Sequence, residues 1–117
     1  MRVLTVFGTR PEATKLAPVI LRLKAEPHIE SLVCVTGQHR ELLDPVLELF
    51  SIQPDIDLKL MKQDQSLAQL TADLFASLDP VYRETKPDWI LVQGDTTTVM
   101  AAALGGFYRG IRVAHVE

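Results

Sequence analysis

The first residues able to do chemistry stand in the segment Gly8-Thr9-Arg10-Pro11-Glu12-Ala13-Thr14-Lys15. An apolar run over residues 2–7 precedes it and helical apolar spacing follows it, so we predict a strand, a turn and a helix. Pro11 fixes the backbone beside Arg10, which favours a guanidinium held ready for an anion. With Lys15 and the N–H groups of a helix start, Arg10 predicts a phosphate site. The alternative is a turn glycine, a helix-opening proline and two solvated cations, and spacing alone favours neither.

A carboxylate follows another predicted strand. The segment Gly94-Asp95-Thr96-Thr97-Thr98 comes directly after the apolar residues 88–93. Because the carboxyl ends of parallel strands meet at one edge of a sheet, we expect Asp95 to face the same crevice as Arg10. There Asp95 could abstract or donate a proton. The alternative is that Asp95 caps the following helix.

Two weaker candidates complete the set. The segment Thr36-Gly37-Gln38-His39-Arg40 follows the second predicted strand, where His39 could be a base or a phosphate ligand, although a helix-starting residue is the favoured interpretation. His115 and Glu117 stand at alternate positions at the end of the last predicted strand. They therefore point to one face and could form an acid/base pair. No pair of histidines or cysteines has zinc-site spacing, so we predict no metal.

Composition narrows the possible classes of protein. A chain of 117 residues that is 47% hydrophobic suits one modest domain with a real core. Its net charge of −3 and scattered basic residues argue against a nucleic-acid partner. Cys34, the single cysteine, lies in an apolar run and predicts a buried, inert thiol, in keeping with a cytoplasmic location. We identify neither a signal peptide nor a segment long enough for a membrane.

Strand and helix patterns alternate along the chain. We predict strands over residues 2–7, 31–36, 55–60, 88–93 and 111–116, and helices over 12–25, 39–50 and 96–108, with a long helix capped by Ser66. The alternation predicts one Rossmann-like, three-layer αβα domain with a parallel sheet over residues 1–117. Pro18, Pro45 and Pro80 fall inside helical patterns, so we expect kinks or helix restarts there, with Asp44 and Asp79 as possible N-caps.

These segments together closely resemble the non-hydrolysing UDP-N-acetylglucosamine 2-epimerases of bacteria. The matching motifs, in order, are FGTRPEATKLAP (residues 7–18), VTGQHR (35–40), QGDTTT (93–98) and HVE (115–117). The resemblance covers the N-terminal part of that family, and the chain stops on a predicted core strand. We therefore expect a truncated N-terminal domain that lacks the C-terminal UDP-binding domain.

The resemblance implies a two-domain, glycosyltransferase-B-like enzyme that works as a homodimer, with the active site between its domains. It implies interconversion of UDP-N-acetylglucosamine and UDP-N-acetylmannosamine by elimination of UDP to a 2-acetamidoglucal, followed by re-addition of UDP. It implies that no metal or nicotinamide cofactor is needed, and that the product feeds surface polysaccharide synthesis. The implied partner is a UDP-sugar substrate.

Residue roles carry over by position. Arg10 would bind the UDP phosphates, Lys15 would lie near the same charge, and Asp95 and Glu117 would handle protons. Gln38 and His39 match a substrate-binding loop of the family.

The chain departs from the family's pattern at three positions. Glu41 and Asp64 stand where members regulated by a second substrate molecule carry a glutamine and an arginine. Two acids would repel another diphosphate, so we do not expect that activation. Gly37 replaces a common alanine, which we expect to be neutral.

Three other functions are compatible with parts of the sequence. A hydrolysing relative would release free N-acetylmannosamine and UDP, and only its products would distinguish it. A non-catalytic Rossmann-like domain that self-associates would lack turnover altogether, which we expect of the 117 residues alone. A phosphoacceptor receiver domain is disfavoured, because Phe7 and Gly8 stand where an acidic pair would hold magnesium.

Overall fold

The computed structural model describes residues 1–38, 40–60 and 62–117. Strands and helices alternate along these residues, as the apolar patterns predict. The elements are β1 (Arg2–Phe7), α1 (Arg10–Ala25), β2 (Glu30–Val35), α2 (Arg40–Leu49), β3 (Ile56–Asp57), α3 (Leu67–Thr85), β4 (Trp89–Gln93), α4 (Thr97–Tyr108) and β5 (Arg112–Val116).

The five strands form one parallel sheet in the order β3-β2-β1-β4-β5. In its register Phe7 pairs with Val35 on one side of β1, and Thr5 pairs with Leu91 on the other. The chain builds outward from β1 to β3 and then, in the opposite direction, from β4 to β5. The strand order therefore reverses between β1 and β4, which is where open α/β sheets form their ligand crevice.

Helices cover both faces of the sheet. Val3 and Phe7 of β1 pack on one face with buried residues of α1 and α2 (Leu16, Ile20, Leu43 and Leu47). Leu4 and Val6 point to the other face, where they pack with residues of α3 and α4 (Leu78, Tyr82, Val99 and Ala102). Alternate residues of the central strands β1, β2 and β4 are thus buried on opposite faces, which explains why these strands are largely apolar. The predicted three-layer domain with a parallel sheet is confirmed.

One predicted strand is much shorter than expected. We predicted residues 55–60, but β3 contains Ile56 and Asp57 alone. Lys59 has a φ of 52°, in the left-handed region that ends an extended strand. Its backbone N–H donates to Oδ1 of Asp57 at 3.0 Å, which closes a local turn. Hydrophobic alternation could not reveal that turn.

The prediction of helix restarts at the prolines is wrong. Helices α1, α2 and α3 continue across Pro18, Pro45 and Pro80. Each helix buries an apolar face on both sides of its proline, and this packing outweighs one missing N–H. Asp44 and Asp79 are not N-caps, because they lie inside α2 and α3, where they pair with Arg40 and Arg109. The cap predicted at Ser66 is confirmed, since its Oγ accepts from Gln69 N at 3.1 Å.

Cys34 is confirmed as a buried thiol, with 0% of its surface exposed. Burial, assisted by the nearby charge of Asp57, raises the pKa of the Cys34 thiol to about 12. The thiol therefore stays protonated and unreactive in the folded chain. Within residues 1–38, 40–60 and 62–117, no helix is both long and apolar enough to cross a membrane.

Candidate functional site

Loops from four strands meet at the carboxyl edge of the sheet. Gly8 follows β1, Gly37 follows β2, Gly94 follows β4, and Glu117 follows β5. Backbone hydrogen bonds tie neighbouring ends together, with Thr36 N donating to Phe7 O and Gly94 N donating to Val116 O, each at 3.0 Å. The structure thus brings the segments carrying Arg10, Gln38, Asp95 and Glu117 to one edge. His39 lies outside the described residues.

A buried carboxylate joins the two loops that flank the reversal of strand order. Glu12, in the first turn of α1, is 2% exposed. Its Oε2 accepts from Gly8 N at 2.8 Å, Thr9 N at 2.7 Å and Thr9 Oγ1 at 2.9 Å. Its Oε1 accepts from Thr96 Oγ1, beyond β4, at 2.5 Å. The loop after β1 and the loop after β4 are therefore held together through one side chain.

A second polar contact lies beneath Gly8. Gln38 Oε1 accepts from Thr98 Oγ1 at 2.7 Å and from Thr36 Oγ1 at 3.3 Å. Both threonines are fully buried. A Cβ added to Gly8 would lie 2.2 Å from Thr36 Oγ1 and 2.7 Å from Gln38 Oε1. Glycine is thus required here because the polar cluster fills the space that a side chain would need.

The occupied amides change the expected anion site. We predicted that free N–H groups at the start of α1 would help to bind a phosphate, but Gly8 N and Thr9 N already donate to Glu12. Pro11 has no N–H to offer. Fewer backbone donors than expected are therefore left for an anion at this end of α1. Arg10 and Lys15 are both exposed, and neither has an ion-pair partner in the part of the chain that is described.

Asp95 is not the helix cap that was its alternative interpretation. The N-cap of α4 is Thr96, whose Oγ1 accepts from Val99 N at 3.3 Å. Asp95 is exposed, and it has no hydrogen-bond or ion-pair partner among residues 1–38, 40–60 and 62–117. The carboxylate therefore stands outside the fold's own hydrogen bonding, where a ligand could reach it.

His115 has a structural partner. Its Nε2 lies 2.7 Å from Gly94 O, so the ring must donate this hydrogen bond to the carbonyl. The contact holds the end of β5 against the loop that carries Asp95. Glu117 comes directly after β5 and is exposed at the same edge.

Gly37 is not a neutral replacement in this backbone. Its φ is +81°, a conformation that residues with a side chain rarely adopt. A Cβ there would lie 2.8 Å from Cα of Lys59 and 2.9 Å from its backbone nitrogen. Alanine would therefore strain this loop and push it away from the turn that ends β3.

Two grooves of the molecule lie away from this edge. One, of about 520 Å³, is lined by Arg83, Lys86, Arg109 and Arg112 near the amino ends of β4 and β5. Another, of about 550 Å³, lies near the amino ends of β1 and β2. The exposed charges of Arg10, Asp95 and Glu117 lie outside both grooves. In the described ranges no group of three His, Cys, Asp or Glu side chains is arranged to hold a metal ion.

Sequence reasoning did not single out Glu12, Thr36 or Thr98. A signal for Glu12 was present, because Thr9 and Glu12 have the Ser/Thr-x-x-Glu spacing of a capping box. That spacing predicts the contact with Thr9 but not the contact with Thr96, 84 residues away. Thr36 and Thr98 lie within two of the motifs, but nothing local in the sequence predicts that both donate to Gln38.

Comparisons with known proteins find the same family that the sequence motifs resemble. The chain is 53% identical over 117 residues to the UDP-N-acetylglucosamine 2-epimerase of Bacillus subtilis, covering 100% of this chain and 31% of that protein. It superimposes on the UDP-GlcNAc 2-epimerase of Neisseria meningitidis bound to UDP-GlcNAc with a TM-score of 0.97 and 56% identity, covering 100% of this chain and 32% of the other. The chain spans about a third of the length of the curated relatives it matches.

A more distant likeness concerns the fold alone. A Streptomyces glycosyltransferase complexed with thymidine diphosphate has a TM-score of 0.64 at 16% identity, covering 98% of this chain and 38% of the other. Residues 21–117, which are most of the chain, match the family described as UDP-N-acetylglucosamine 2-epimerase. With the four motifs placed around one crevice, this chain belongs to the UDP-N-acetylglucosamine 2-epimerase family.

Proposed function

We propose that this chain is the N-terminal, Rossmann-like part of a two-domain, non-hydrolysing UDP-N-acetylglucosamine 2-epimerase. The reaction would convert UDP-N-acetylglucosamine into UDP-N-acetylmannosamine. The observation that supports this best is the hydrogen bond of 2.5 Å between Glu12 and Thr96, because it joins the loop with Arg10 to the loop with Asp95. A cation and an acid beside one crevice suit a substrate that loses a diphosphate and a proton.

Arg10 would bind the diphosphate. Negative charge develops on UDP as it departs, so a fixed guanidinium lowers the barrier to departure. Lys15, further along α1, would also stabilise the negative charge of the departing diphosphate. Five residues of α-helix place Lys15 about 140° around the axis from Arg10 and about 7.5 Å along it. The two cations would therefore approach the diphosphate from different sides.

Asp95 and Glu117 would handle protons. In the elimination, a carboxylate takes the C2 proton, the C1–O bond breaks, and UDP leaves with the electron pair to give a 2-acetamidoglucal. In the re-addition, UDP attacks C1 and a proton returns to C2 from the opposite face. Exposed carboxylates without partners in the described chain are available for these transfers once a substrate covers them.

Gln38 and His39 would contact the substrate from the loop after β2. Since Oε1 of Gln38 accepts from Thr36 and Thr98, its amide nitrogen is the atom that would donate to the ligand. Two buried threonines would then fix the direction of that donor. For His39 the support is the sequence motif.

The intact gene product should exchange the C2 proton of UDP-N-acetylglucosamine with solvent deuterium. Arg10→Ala should slow this exchange by about 10²–10³-fold. Lys24→Ala, at the far end of the same helix, is the matched control and should leave it unchanged. Absence of deuterium at C2 with the unaltered protein would refute the proposal. Release of free N-acetylmannosamine and UDP would instead identify a hydrolysing enzyme.

We further propose that the 117 residues alone have no turnover. The charged residues stand on an open surface, and an eliminated glucal would escape from it before UDP could return. Measurable epimerisation by the purified 117-residue chain would contradict this.

We propose that the intact protein is a cytoplasmic homodimer whose product feeds polysaccharide synthesis. Support for self-association comes from α4, which exposes Met100, Leu104, Phe107 and Tyr108, the last two at 65% and 71%. Phe107→Glu should yield monomers in sedimentation. Leu49→Glu, at the exposed last residue of α2, should not.

Activation by a second substrate molecule is not part of the proposal. Glu41 is exposed in the first turn of α2, and Asp64 is exposed before α3. Their charges would repel a second diphosphate. The initial rate from UDP-N-acetylmannosamine should therefore not rise when a little UDP-N-acetylglucosamine is added.

A further inference from the structure

We propose that Glu12 is a positioning residue, whose buried carboxylate fixes the loop that carries Arg10 against the loop that carries Asp95. The expected effect of Glu12 on the rate of epimerisation rests on the proposed function. The claim that Glu12 fixes the two loops concerns this chain alone.

The burial and contacts of Glu12 set it apart from the other acids in the molecule. It is 2% exposed and faces no Lys, Arg or His ion-pair partner within residues 1–38, 40–60 and 62–117. A buried charge without such compensation is unfavourable unless hydrogen bonds satisfy its oxygens. Four donors do so here, at 2.5 to 2.9 Å. The fold therefore depends on those donors staying in place.

The two carboxylate oxygens of Glu12 accept hydrogen bonds from different loops. Oε2 takes all three donors from Gly8 and Thr9, whereas Oε1 takes the hydroxyl of Thr96. A residue that merely capped α1 would need only the first set. The second contact spans 84 residues and crosses the reversal between β1 and β4. Capping alone does not account for it.

Thr96 connects Glu12 to the start of α4. Its Oγ1 donates to Glu12 and accepts from Val99 N, so one atom both caps α4 and binds the carboxylate. Asp95 is the residue immediately before it. Where α4 starts, and hence where Asp95 lies relative to Arg10, therefore depends on Glu12.

The test removes the link without touching Arg10 or Asp95. In the intact gene product, Thr96→Ala deletes the hydroxyl that reaches Glu12, and Thr96→Ser keeps it. Ser66→Ala is the matched control, because it removes the same kind of cap from α3, and the Ser66 hydroxyl binds Gln69 N rather than Glu12. A hydrogen bond to a charged group corresponds to about tenfold or more in an equilibrium or rate.

We expect Thr96→Ala to lower kcat for epimerisation at least about tenfold with a smaller change in KM, because the misplaced groups act in the transition state. Thr96→Ser should restore kcat, and Ser66→Ala should leave it unchanged. Each rate is taken where circular dichroism shows the variant to be folded. Equal kcat for Thr96→Ala and Ser66→Ala, or failure of Thr96→Ser to restore kcat, would overturn the proposal.

A second readout separates this proposal from the proposed function. Amide hydrogen exchange of Gly8 and Thr9, which donate to Glu12, should be faster in Thr96→Ala than in the unaltered protein, and unchanged in Ser66→Ala. If the unaltered protein lacks epimerase activity, the function fails while this measurement still decides the positioning role. Unchanged exchange at both amides in Thr96→Ala would refute that role.

Discussion

The loops after β1 and β4 face each other across one crevice but are fixed in different ways. In the first loop, Glu12 binds the amides of Gly8 and Thr9, and the polar cluster under Gly8 leaves no room for a Cβ. In the second loop, Gly94 adopts a φ of +90°, and a Cβ there would have nothing within 4 Å. A side chain is thus excluded from the first loop by the surrounding atoms, and from the second by the backbone conformation of Gly94. The first loop leads to the cation Arg10, and the second carries the acid Asp95.

The largest effect should come from the acid of the second loop. Asp95→Asn removes the proposed proton-transfer group while keeping its size, and we expect C2 exchange in the intact gene product to fall by about 10²–10⁴-fold. Glu84→Gln, at an exposed position of α3, should change nothing. A rate for Asp95→Asn within a factor of two or so of the unaltered protein would remove Asp95 from the mechanism.

Packing around the first loop predicts the next largest effect. Gly8→Ala would press a methyl group against Thr36 and Gln38, and overpacking of this kind costs about 3 kcal/mol. Urea denaturation of the 117-residue chain would measure the loss. If Gly8→Ala were as stable as the unaltered chain, the polar cluster would be deformable, and the contrast between the loops would disappear.

Cys34 can report on both loops at once. It lies in β2 and pairs with Val6 of β1, the strand that leads into the first loop. Because the thiol is buried and its pKa is raised to about 12, an aromatic disulfide should modify it only when the chain opens. We expect Gly8→Ala to react about thirtyfold faster than Gly94→Ala, because their stabilities should differ by about 2 kcal/mol. Equal rates would show that the two loops are equally tolerant.

The smallest effect should follow from Gly94→Ala. The methyl group enters open space, so the change is limited to the strain of a left-handed backbone, about 1 kcal/mol. Gly110→Ala provides a comparison, since Gly110 has a φ of +69° with nothing near its missing Cβ. The two variants should lose similar stability in urea denaturation. A much larger loss for Gly94→Ala would indicate a hidden packing role for the second loop.

The fold was largely predictable because its signals are local. Apolar runs at strand spacing, helical stripes and the cap at Ser66 each depend on neighbouring residues, and all correspond to observed elements. The errors occur where distant contacts decide. The turn at Lys59 shortens β3, and tertiary packing keeps α1, α2 and α3 continuous through their prolines.

The candidate site was predictable in part for the same reason. The positions of Arg10 and Asp95 follow from the rule that parallel strands end at one edge, since each comes just after a strand. The role of Glu12 does not follow from that rule, because Thr96 is remote in sequence. Gln38 could be named from its motif, yet its contact with Thr98, 60 residues away, needed the structure.

The long span of these contacts sets the order in which the crevice can be assembled during synthesis. β1, α1 and β2 can pair as soon as about the first 35 residues have left the ribosome, because no residue beyond Val35 takes part in the pairing of β1 with β2. Glu12 can form its contact with Thr96 only after Thr96 has been made and β4 has docked beside β1. A nascent chain thus carries its pair of cations long before it can place an acid opposite them, and completion of the crevice coincides with the slow, long-range closure of the sheet.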